Sequence, residues 1–287
     1  MEITKTQIYN IIDGHYFLSV SNERRIVILG KTGAGKSSLA NTIHVDDVFK
    51  INHTFNSGTS ECQAKNKSVN GRSITLIDTP GFFDTDRSEE ELKSEIVRCI
   101  TECAPGPHAF LIVLKVEKFT EQEKAVINKM QEYFSEEAFK YATVLFTHGD
   151  QLPEDRKIED FVHQNEPMSE LVKKCGGRCH VIDNKYWKEK PKHEYRSNQH
   201  QVEELLKSID KMVTENGSCY TNELLQEVEQ MKKQEVENIR QSSENMTEEE
   251  IREQATVNVF KKLMIRLAAV GAHVLLAALI GVAVMGN

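Results

Sequence analysis

Short apolar runs alternate with stretches of helical periodicity along the first two thirds of the chain. Residues 26–29, 110–116 and 141–147 are continuous apolar runs, as in strands buried on both faces. Between them, residues 88–103 have apolar side chains at helical spacing, and a second helix is predicted from Thr120 to about Phe134. This order predicts an α/β fold with a mostly parallel sheet and a ligand site at the carboxyl ends of the strands.

One antiparallel strand is predicted at the edge of that sheet. Residues 62–69 and 73–78 are strand-like and are joined by Asn70-Gly71. Both turn residues tolerate the positive φ angles of a type I′ turn, so the pair predicts a tight hairpin.

The last third of the chain changes character twice. An amphipathic helix from Asn198 to Val213, ending at Asn216-Gly217, is expected to close the domain. Residues 223–252 are charged throughout with a thin apolar stripe, which predicts a solvent-exposed helical stalk. Four regions are therefore expected: an N-terminal extension over 1–23, the main domain over 24–216, a charged helical stalk over 217–262, and a hydrophobic tail over 263–287.

The tail has two interpretations. Leu267–Met285 is 19 residues long and carries no formal charge at neutral pH, and Lys261, Lys262 and Arg266 precede it. A helix of that length spans a hydrocarbon core at about 1.5 Å per residue, which favours a C-terminal membrane anchor with its basic flank in the cytosol. The alternative is a helix that packs on the domain or on a dimer partner, because the segment is rich in alanine.

Net charge and cysteine content argue against a nonspecific nucleic-acid-binding protein and against a disulfide-rich protein. The chain of 287 residues has a net charge of −8, which argues against nonspecific binding to nucleic acid. Six cysteines are too few for a disulfide scaffold and lack the spacing of a zinc site, so a reducing, cytosolic environment is expected.

A phosphate-binding loop is predicted directly after the first buried strand. Its sequence fits G-x-x-x-x-G-K-[ST], in which glycines let backbone N–H groups surround a phosphate at the start of a helix. In this pattern the lysine contacts the β- and γ-phosphates and the hydroxyl binds Mg²⁺. The residues predicted to form the loop are Gly30, Lys31, Thr32, Gly33, Ala34, Gly35, Lys36, Ser37 and Ser38.

Two further segments follow predicted strands at the same edge. Asp78-Thr-Pro-Gly81 suits a γ-phosphate sensor, in which the carboxylate holds Mg²⁺ through water and the Gly81 N–H reaches the phosphate. Thr147-His148-Gly149-Asp150 ends a later strand. The carboxylate of Asp150 can accept both N1–H and N2–H₂ of guanine, whereas it would repel N1 of adenine. Asn184 is either a second contact to the base or part of an Asx turn.

The combined motifs resemble the AIG-type GTPases, the GIMAP family (GTPases of immunity-associated proteins). The resemblance covers residues 24–216 and includes GKTGAGKSS, DTPGFFD, PGPHAFLIVLKVEKFTEQEK and FTHGD. It implies a Ras-like P-loop GTPase domain with an added helical segment, which binds GTP or GDP with Mg²⁺ and associates through its nucleotide face. It also implies a switch contact and Mg²⁺ ligand at Thr59, and a guanine site made by His148, Gly149, Asp150 and Asn184. His148 stands where the usual guanine motif has lysine.

Hydrolysis is expected to be slow. Phe82 occupies the position that follows D-x-x-G, where Ras-type enzymes have a glutamine that orients water. Some relatives carry a basic residue at the position of Lys118 that acts on a facing subunit, so Lys118 is a hypothetical catalytic residue in trans.

Three functions stay open: a membrane-assembled slow GTPase, a nucleotide-dependent scaffold with negligible hydrolysis, and a P-loop ATPase or kinase. The expected location is the cytosolic face of an intracellular membrane, or the cytosol if the tail is not inserted.

Overall fold

A six-stranded mixed sheet forms the centre of the molecule. The computed structural model describes residues 9–12, 15–18, 22–49, 61–83, 88–117, 119–188, 194–242 and 245–281, with the backbone alone at 9–12, 15–18 and 122. The strands of the sheet lie in the order β4-β5-β3-β6-β7-β8, and a separate two-stranded antiparallel sheet, β1 and β2, precedes them. The strands are β1 Tyr9–Ile12, β2 His15–Leu18, β3 Glu23–Leu29, β4 Gln63–Val69, β5 Arg72–Asp78, β6 Ala109–Lys115, β7 Ala142–Thr147 and β8 Cys179–Val181.

All neighbouring strands of the large sheet are parallel except β4 and β5. The prediction of a tight Asn-Gly hairpin is confirmed, because Asn70 and Gly71 both have positive φ, 50° and 77°. The predicted mostly parallel sheet with one antiparallel edge strand is confirmed as well. The carboxyl ends of β3, β5, β6, β7 and β8 consequently meet along one edge.

Ten helices are described around this sheet. They are α1 Lys36–His44, α2 Glu89–Cys103, α3 Glu121–Tyr133, α4 Glu136–Phe139, α5 Ile158–His163, α6 Glu166–Lys174, α7 Asn198–Asn216, α8 Glu223–Ser242, α9 Glu248–Arg266 and α10 Ala272–Leu279. The predicted starts of two helices are confirmed: the Ser88 side chain accepts from the N–H of Glu91, and the Glu123 carboxylate accepts from the N–H of Thr120 at 3.2 Å.

The two faces of the sheet carry separate apolar clusters. Because strand side chains alternate in direction, Ile26 and Ile28 of β3 face α1 and α7, whereas Val27 and Leu29 face the other layer. The second cluster is larger and includes side chains of α2, α3, α6, α8, α9 and α10. Asp210 of α7 joins the smaller layer to the strands through ion pairs with Arg24 at 2.9 Å and Arg72 at 2.6 Å.

The charged region after residue 217 is packed on the domain, in contrast to the solvent-exposed stalk expected from its composition. Helices α8 and α9 pack against each other, and both contact α2. Val228 of α8 and Val259 and Leu263 of α9 are fully buried. The thin apolar stripe was enough for docking because each helix supplies one face to a shared cluster.

The hydrophobic tail also differs from the expected continuous span over 267–285. Helix α9 ends at Arg266, residues 267–270 turn, and α10 is a separate helix of 8 residues. Leu276, Leu279 and Ile280 are fully buried on the domain. The packing alternative is the one that the structure supports for the described part of the tail; residues 282–287 lie outside it. Among the described residues, no helix is both long enough and apolar enough to span a bilayer.

Specific contacts hold α10 in place. The Glu89 carboxylate accepts a hydrogen bond from the N–H of Ala272, and the Lys93 ammonium donates to the carbonyl of Ala268. The rings of Tyr133 and His273 stack with centroids 6.2 Å apart. Helix α10 therefore bridges α2 and the end of α3.

Candidate functional site

The loop predicted to bind phosphate, residues 30–38, is here called the phosphate-type loop. It begins at the end of β3 and runs into the start of α1. A Cβ atom on Gly30 would stand 2.6 Å from the carbonyl oxygen of Val113, so only glycine fits the approach of this loop to β6. Gly35 caps α1 with a φ of 87°, in the left-handed region that glycine adopts without strain. Gly33 also has positive φ, 76°, and Ala34 N–H donates to the carbonyl of Lys31. The loop therefore turns through glycines and aims the start of α1 at its centre.

Lys36 occupies the middle of this loop. Its side chain is buried, and its ammonium donates to the carbonyl oxygens of Gly30 at 2.9 Å and Lys31 at 3.0 Å. The ammonium is thus held inside the loop by two backbone carbonyl oxygens of that loop. Thr32 and Ser38 belong to the same loop and helix start, and the Ser38 carbonyl accepts from the Thr42 hydroxyl.

Lys31 is directed away from the loop centre. Its ammonium pairs with the carboxylate of Glu123 and lies 3.6 Å from that of Glu117. Glu123 is the third residue of α3 and completes its capping box with Thr120. Partial burial alone would raise the pKa of Glu123, but hydrogen bonds from Lys31 and Thr120 outweigh it and lower that pKa. Lys31 therefore links the loop to the start of α3.

Two of the three predicted metal ligands lie together. The Ser37 hydroxyl donates to the Asp78 carboxylate at 2.5 Å, where β5 ends beside the start of α1. Hydroxyl and carboxylate oxygens are the hard ligands that suit Mg²⁺, so this pair fits such an ion. The third predicted ligand, Thr59, lies outside the described residues, as does Lys118. Among the described residues, no group of three or more His, Cys, Asp or Glu side chains could hold a metal.

The segment after Asp78 turns into the apolar core. The Thr79 hydroxyl donates to the carbonyl of Ile28 at 2.6 Å, and Gly81 follows in a buried position. Phe82 and Phe83 are only 3% exposed and belong to the larger apolar cluster. Phe82 offers no polar atom with which to orient water.

A pocket of about 240 Å³ lies at the ends of β7 and β8. His148 is exposed and has left-handed backbone angles, with a φ of 60°. Gly149 packs so closely on Trp187 that a Cβ atom would stand 2.6 Å from its ring. The residues that line the pocket are His148, Asp150, Asp183, Asn184, Lys185 and Tyr186.

Thr147 and Asn184 connect this pocket to the phosphate-type loop. The Thr147 hydroxyl donates to the carbonyl of Ala34 at 2.8 Å. The Asn184 amide accepts from the Thr42 hydroxyl at 3.3 Å, and its nitrogen lies 3.0 Å from where a Cβ of Gly35 would be. Thus Asn184 stands between the loop and the pocket.

Carboxylates dominate the electrostatics of the pocket. Partial burial, the nearby Asp183 carboxyl and its charge raise the pKa of Asp150. Burial alone would raise the pKa of Asp183, but hydrogen bonds from the Tyr186 N–H, the Asp150 carboxyl and the Lys185 N–H outweigh it and lower that pKa. Asp183 was not among the predicted site residues, although it directly precedes Asn184.

The model of the AIG1 family matches residues 24–240. The chain belongs to the AIG1 family. The predicted resemblance to AIG-type GTPases is therefore confirmed, and the match extends past the predicted end at residue 216 into α8.

Relatives of this AIG1-family chain occur in plants and mammals. It is 34% identical over 246 residues to immune-associated nucleotide-binding protein 8 of Arabidopsis thaliana, a match that covers 84% of this chain and 67% of the relative. It is 31% identical over 199 residues to GTPase IMAP family member 8 of Homo sapiens, covering 69% of this chain and 29% of that protein.

Solved structures with the same fold include Toc33 from Arabidopsis thaliana in complex with GDP and Mg²⁺. The TM-score is 0.54 at 19% identity, and the alignment covers 70% of this chain and 88% of Toc33. The likeness confirms the predicted Ras-like P-loop GTPase fold.

A matched pair of threonines on β7 tests the link between the pocket and the loop. Thr147 and Thr143 are both fully buried, but the Thr143 hydroxyl has no hydrogen-bond partner among the described residues. Thr147→Val leaves the Ala34 carbonyl without this donor and should lower the free energy of unfolding by about 1–3 kcal/mol. Thr143→Val should be neutral or stabilising. Urea denaturation measures both, and equal losses would contradict the proposed importance of the Thr147 bond.

Proposed function

We propose that this AIG1-family chain binds GTP and GDP with Mg²⁺ and acts as a nucleotide-controlled switch. The observation that carries the proposal is the meeting of three groups at one edge of the sheet: Lys36 in its loop, the Ser37–Asp78 pair and the Asp150 pocket. Lys36 and the loop N–H groups would hold the phosphates, and Mg²⁺ held by Ser37 and Asp78 would neutralise their charge. Thr59 and Gly81 would sense the γ-phosphate.

Guanine is the preferred base in this proposal. The Asp150 carboxylate lines the pocket and can accept hydrogen bonds from both N1–H and N2–H₂ of guanine, whereas adenine in the same orientation presents the acceptor N1 and no donor at this edge. His148 is exposed beside it and can lie against the base, and Asn184 would contact the base from the side of the loop. ATP is the less favoured alternative, because in this orientation adenine offers no donor to the Asp150 carboxylate.

Slow hydrolysis follows from the position of Phe82. A buried phenyl ring cannot orient the attacking water, so the isolated chain is proposed to turn over slowly. For the chloroplast translocon components atToc33 and psToc159, dimerization is important for GTPase activity. We extend this to the present chain: two copies meet through their nucleotide faces, and Lys118 acts on the partner's nucleotide. A scaffold with negligible hydrolysis is the alternative.

Membrane attachment through the tail is proposed as a conditional state. The uncharged segment 267–285 and its basic flank support insertion, whereas α10 packs its apolar side against α2. Insertion therefore requires α10 to leave the domain, so the packed tail and the inserted tail exclude each other. In this proposal the chain assembles on the cytosolic face of an intracellular membrane when the tail is released.

A variant of Asp150 tests which base the site binds. Asp150→Asn should weaken GTP binding about 100-fold, since a charged acceptor for two donors is worth about 3 kcal/mol. The same change should improve binding of xanthosine triphosphate, whose base offers an acceptor where guanine has a donor. Competition titrations with Mg²⁺ measure both, and ATP serves as the control that should not compete with wild type. Equal competition by ATP and GTP would contradict guanine specificity.

Concentration dependence tests catalysis across a dimer. GTP turnover per molecule should rise with wild-type concentration and stay flat in Lys118→Ala, because only the partner's lysine reaches the nucleotide. Lys124→Ala, an exposed lysine of α3, is the matched control and should behave as wild type. A wild-type rate independent of concentration would remove the role of Lys118, and GTP that persists intact at high concentration would favour the scaffold.

A reporter fusion tests the membrane proposal. Residues 255–287 fused to a fluorescent protein lack the domain on which α10 packs, so the fusion should concentrate on membranes. Leu276→Lys in the same fusion should return the signal to the cytosol, because a charge near the centre of the span costs about 3 kcal/mol. A diffuse signal from the unsubstituted fusion would contradict membrane insertion.

A further inference from the structure

Asp183 is the most highly connected side chain of the base pocket. It is only 2% exposed, and one carboxylate oxygen accepts from the N–H groups of Lys185, at 2.9 Å, and Tyr186. The other oxygen accepts from the N–H of Asp150 at 3.4 Å. One carboxylate therefore ties the loop after β8 to the loop after β7.

The backbone of Asp183 is fixed from a third element. The Asn198 side chain, at the start of α7, accepts from the N–H of Asp183 at 3.0 Å and donates to its carbonyl at 2.6 Å. Gly149 N–H also donates to the carbonyl of Ile182 at 3.0 Å. The position of Asp183 is thus determined by α7 and β8, independently of any ligand.

We propose that Asp183 is a positioning and specificity-determining residue of the base pocket, whose carboxylate holds both base-binding loops and whose charge makes guanine binding depend on proton release from Asp150. This inference rests on the proposed guanine nucleotide site. Two carboxyl groups in contact favour a state with one shared proton. Guanine offers N–H donors to Asp150 and needs that group ionised, so below the pKa of Asp150 the base can bind only when this proton leaves.

The other charged groups around Asp150 do not cancel the effect of the Asp183 carboxyl on the ionisation of Asp150. His148 lies on the same loop and, when protonated, favours ionised Asp150, while the Gln151 amide donates to Asp150 at 2.9 Å. From the facing loop, the Lys185 ammonium lies 4.8 Å from the centre of the Tyr186 ring, and both groups are exposed. Among the described residues, Asp183 is the negative group in contact with Asp150. Partial burial and the Asp183 carboxyl together raise the pKa of Asp150 despite the favourable groups.

The direction of the pH dependence follows from this arrangement. The pKa of Asp150 in the free protein is raised, and guanine binding favours the ionised form. Affinity is therefore complete above that pKa and falls as pH decreases through it, by up to about tenfold per pH unit. Removing the charge of Asp183 lowers the pKa of Asp150 and should move this loss of affinity to lower pH.

Three variants of the full chain separate charge from positioning. Asp183→Asn keeps an acceptor oxygen for the N–H groups of Lys185 and Tyr186 but removes the charge, so the acid loss of GDP affinity should shift to lower pH. Asp183→Ala removes the acceptors as well, so it should show the same shift to lower pH but bind GDP about tenfold more weakly than Asp183→Asn at every pH. Asp155→Asn removes a charge from an exposed position on the following loop and should retain the wild-type profile. All profiles use the same GDP, so ionisation of its phosphates cancels in the comparison.

The outcomes are distinct. Superimposable profiles for wild type and Asp183→Asn, or a shift of equal size in Asp155→Asn, would overturn the inference while leaving guanine binding intact. A wild-type chain that binds no GDP at any pH would overturn the proposed function itself. Carboxyl NMR titration of the nucleotide-free wild type needs no variant: Asp150 should titrate above its ordinary range and Asp183 below it, and ordinary values for both would also overturn the inference.

Discussion

The hydrogen bond from the Thr147 hydroxyl to the Ala34 carbonyl joins the two halves of the site. Thr147 ends the strand that leads to the proposed base pocket, and Ala34 lies inside the phosphate-type loop. Because both are buried, neither can exchange this contact for water at low cost. The distance between the proposed base pocket and the phosphate-type loop is consequently fixed by this contact at the end of β7.

The parallel sheet makes this arrangement possible. Strands β3, β5, β7 and β8 all end at one edge, so four loops that are far apart along the chain meet there. Glycine is required at this edge for a steric reason: at Gly30 the loop passes too close to Val113 to admit a side chain. Asn184 and Asp183 complete the edge from β8 and are anchored by α1 and α7.

Local structure could be predicted from the sequence, whereas packing between segments far apart in the chain could not. The Asn70-Gly71 turn, the helix start at Thr120 and the phosphate-type loop each depend on neighbouring residues, so their patterns predicted them. The docking of α8, α9 and α10 depends on contacts between residues far apart in sequence, such as Tyr133 with His273. An apolar tail has the same composition whether it covers a protein surface or enters a membrane. Asp183 lacked a motif of its own, because its role arises from backbone donors that only the folded loops bring together.

The burial of α2 limits how another protein could recognise this chain. From Leu92 to Cys103 no side chain of that helix is exposed, since the sheet lies on one side and α8, α9 and α10 cover the other. Helix α2 is the next described helix along the chain after Asp78 and Gly81, the residues of the proposed γ-phosphate sensor. An effector that binds α2 must compete with the chain's own C-terminal helices, and its affinity is reduced by the free energy of displacing them. The chain's own helices α8, α9 and α10 therefore occupy that surface of α2, and a partner can bind there only when they leave it.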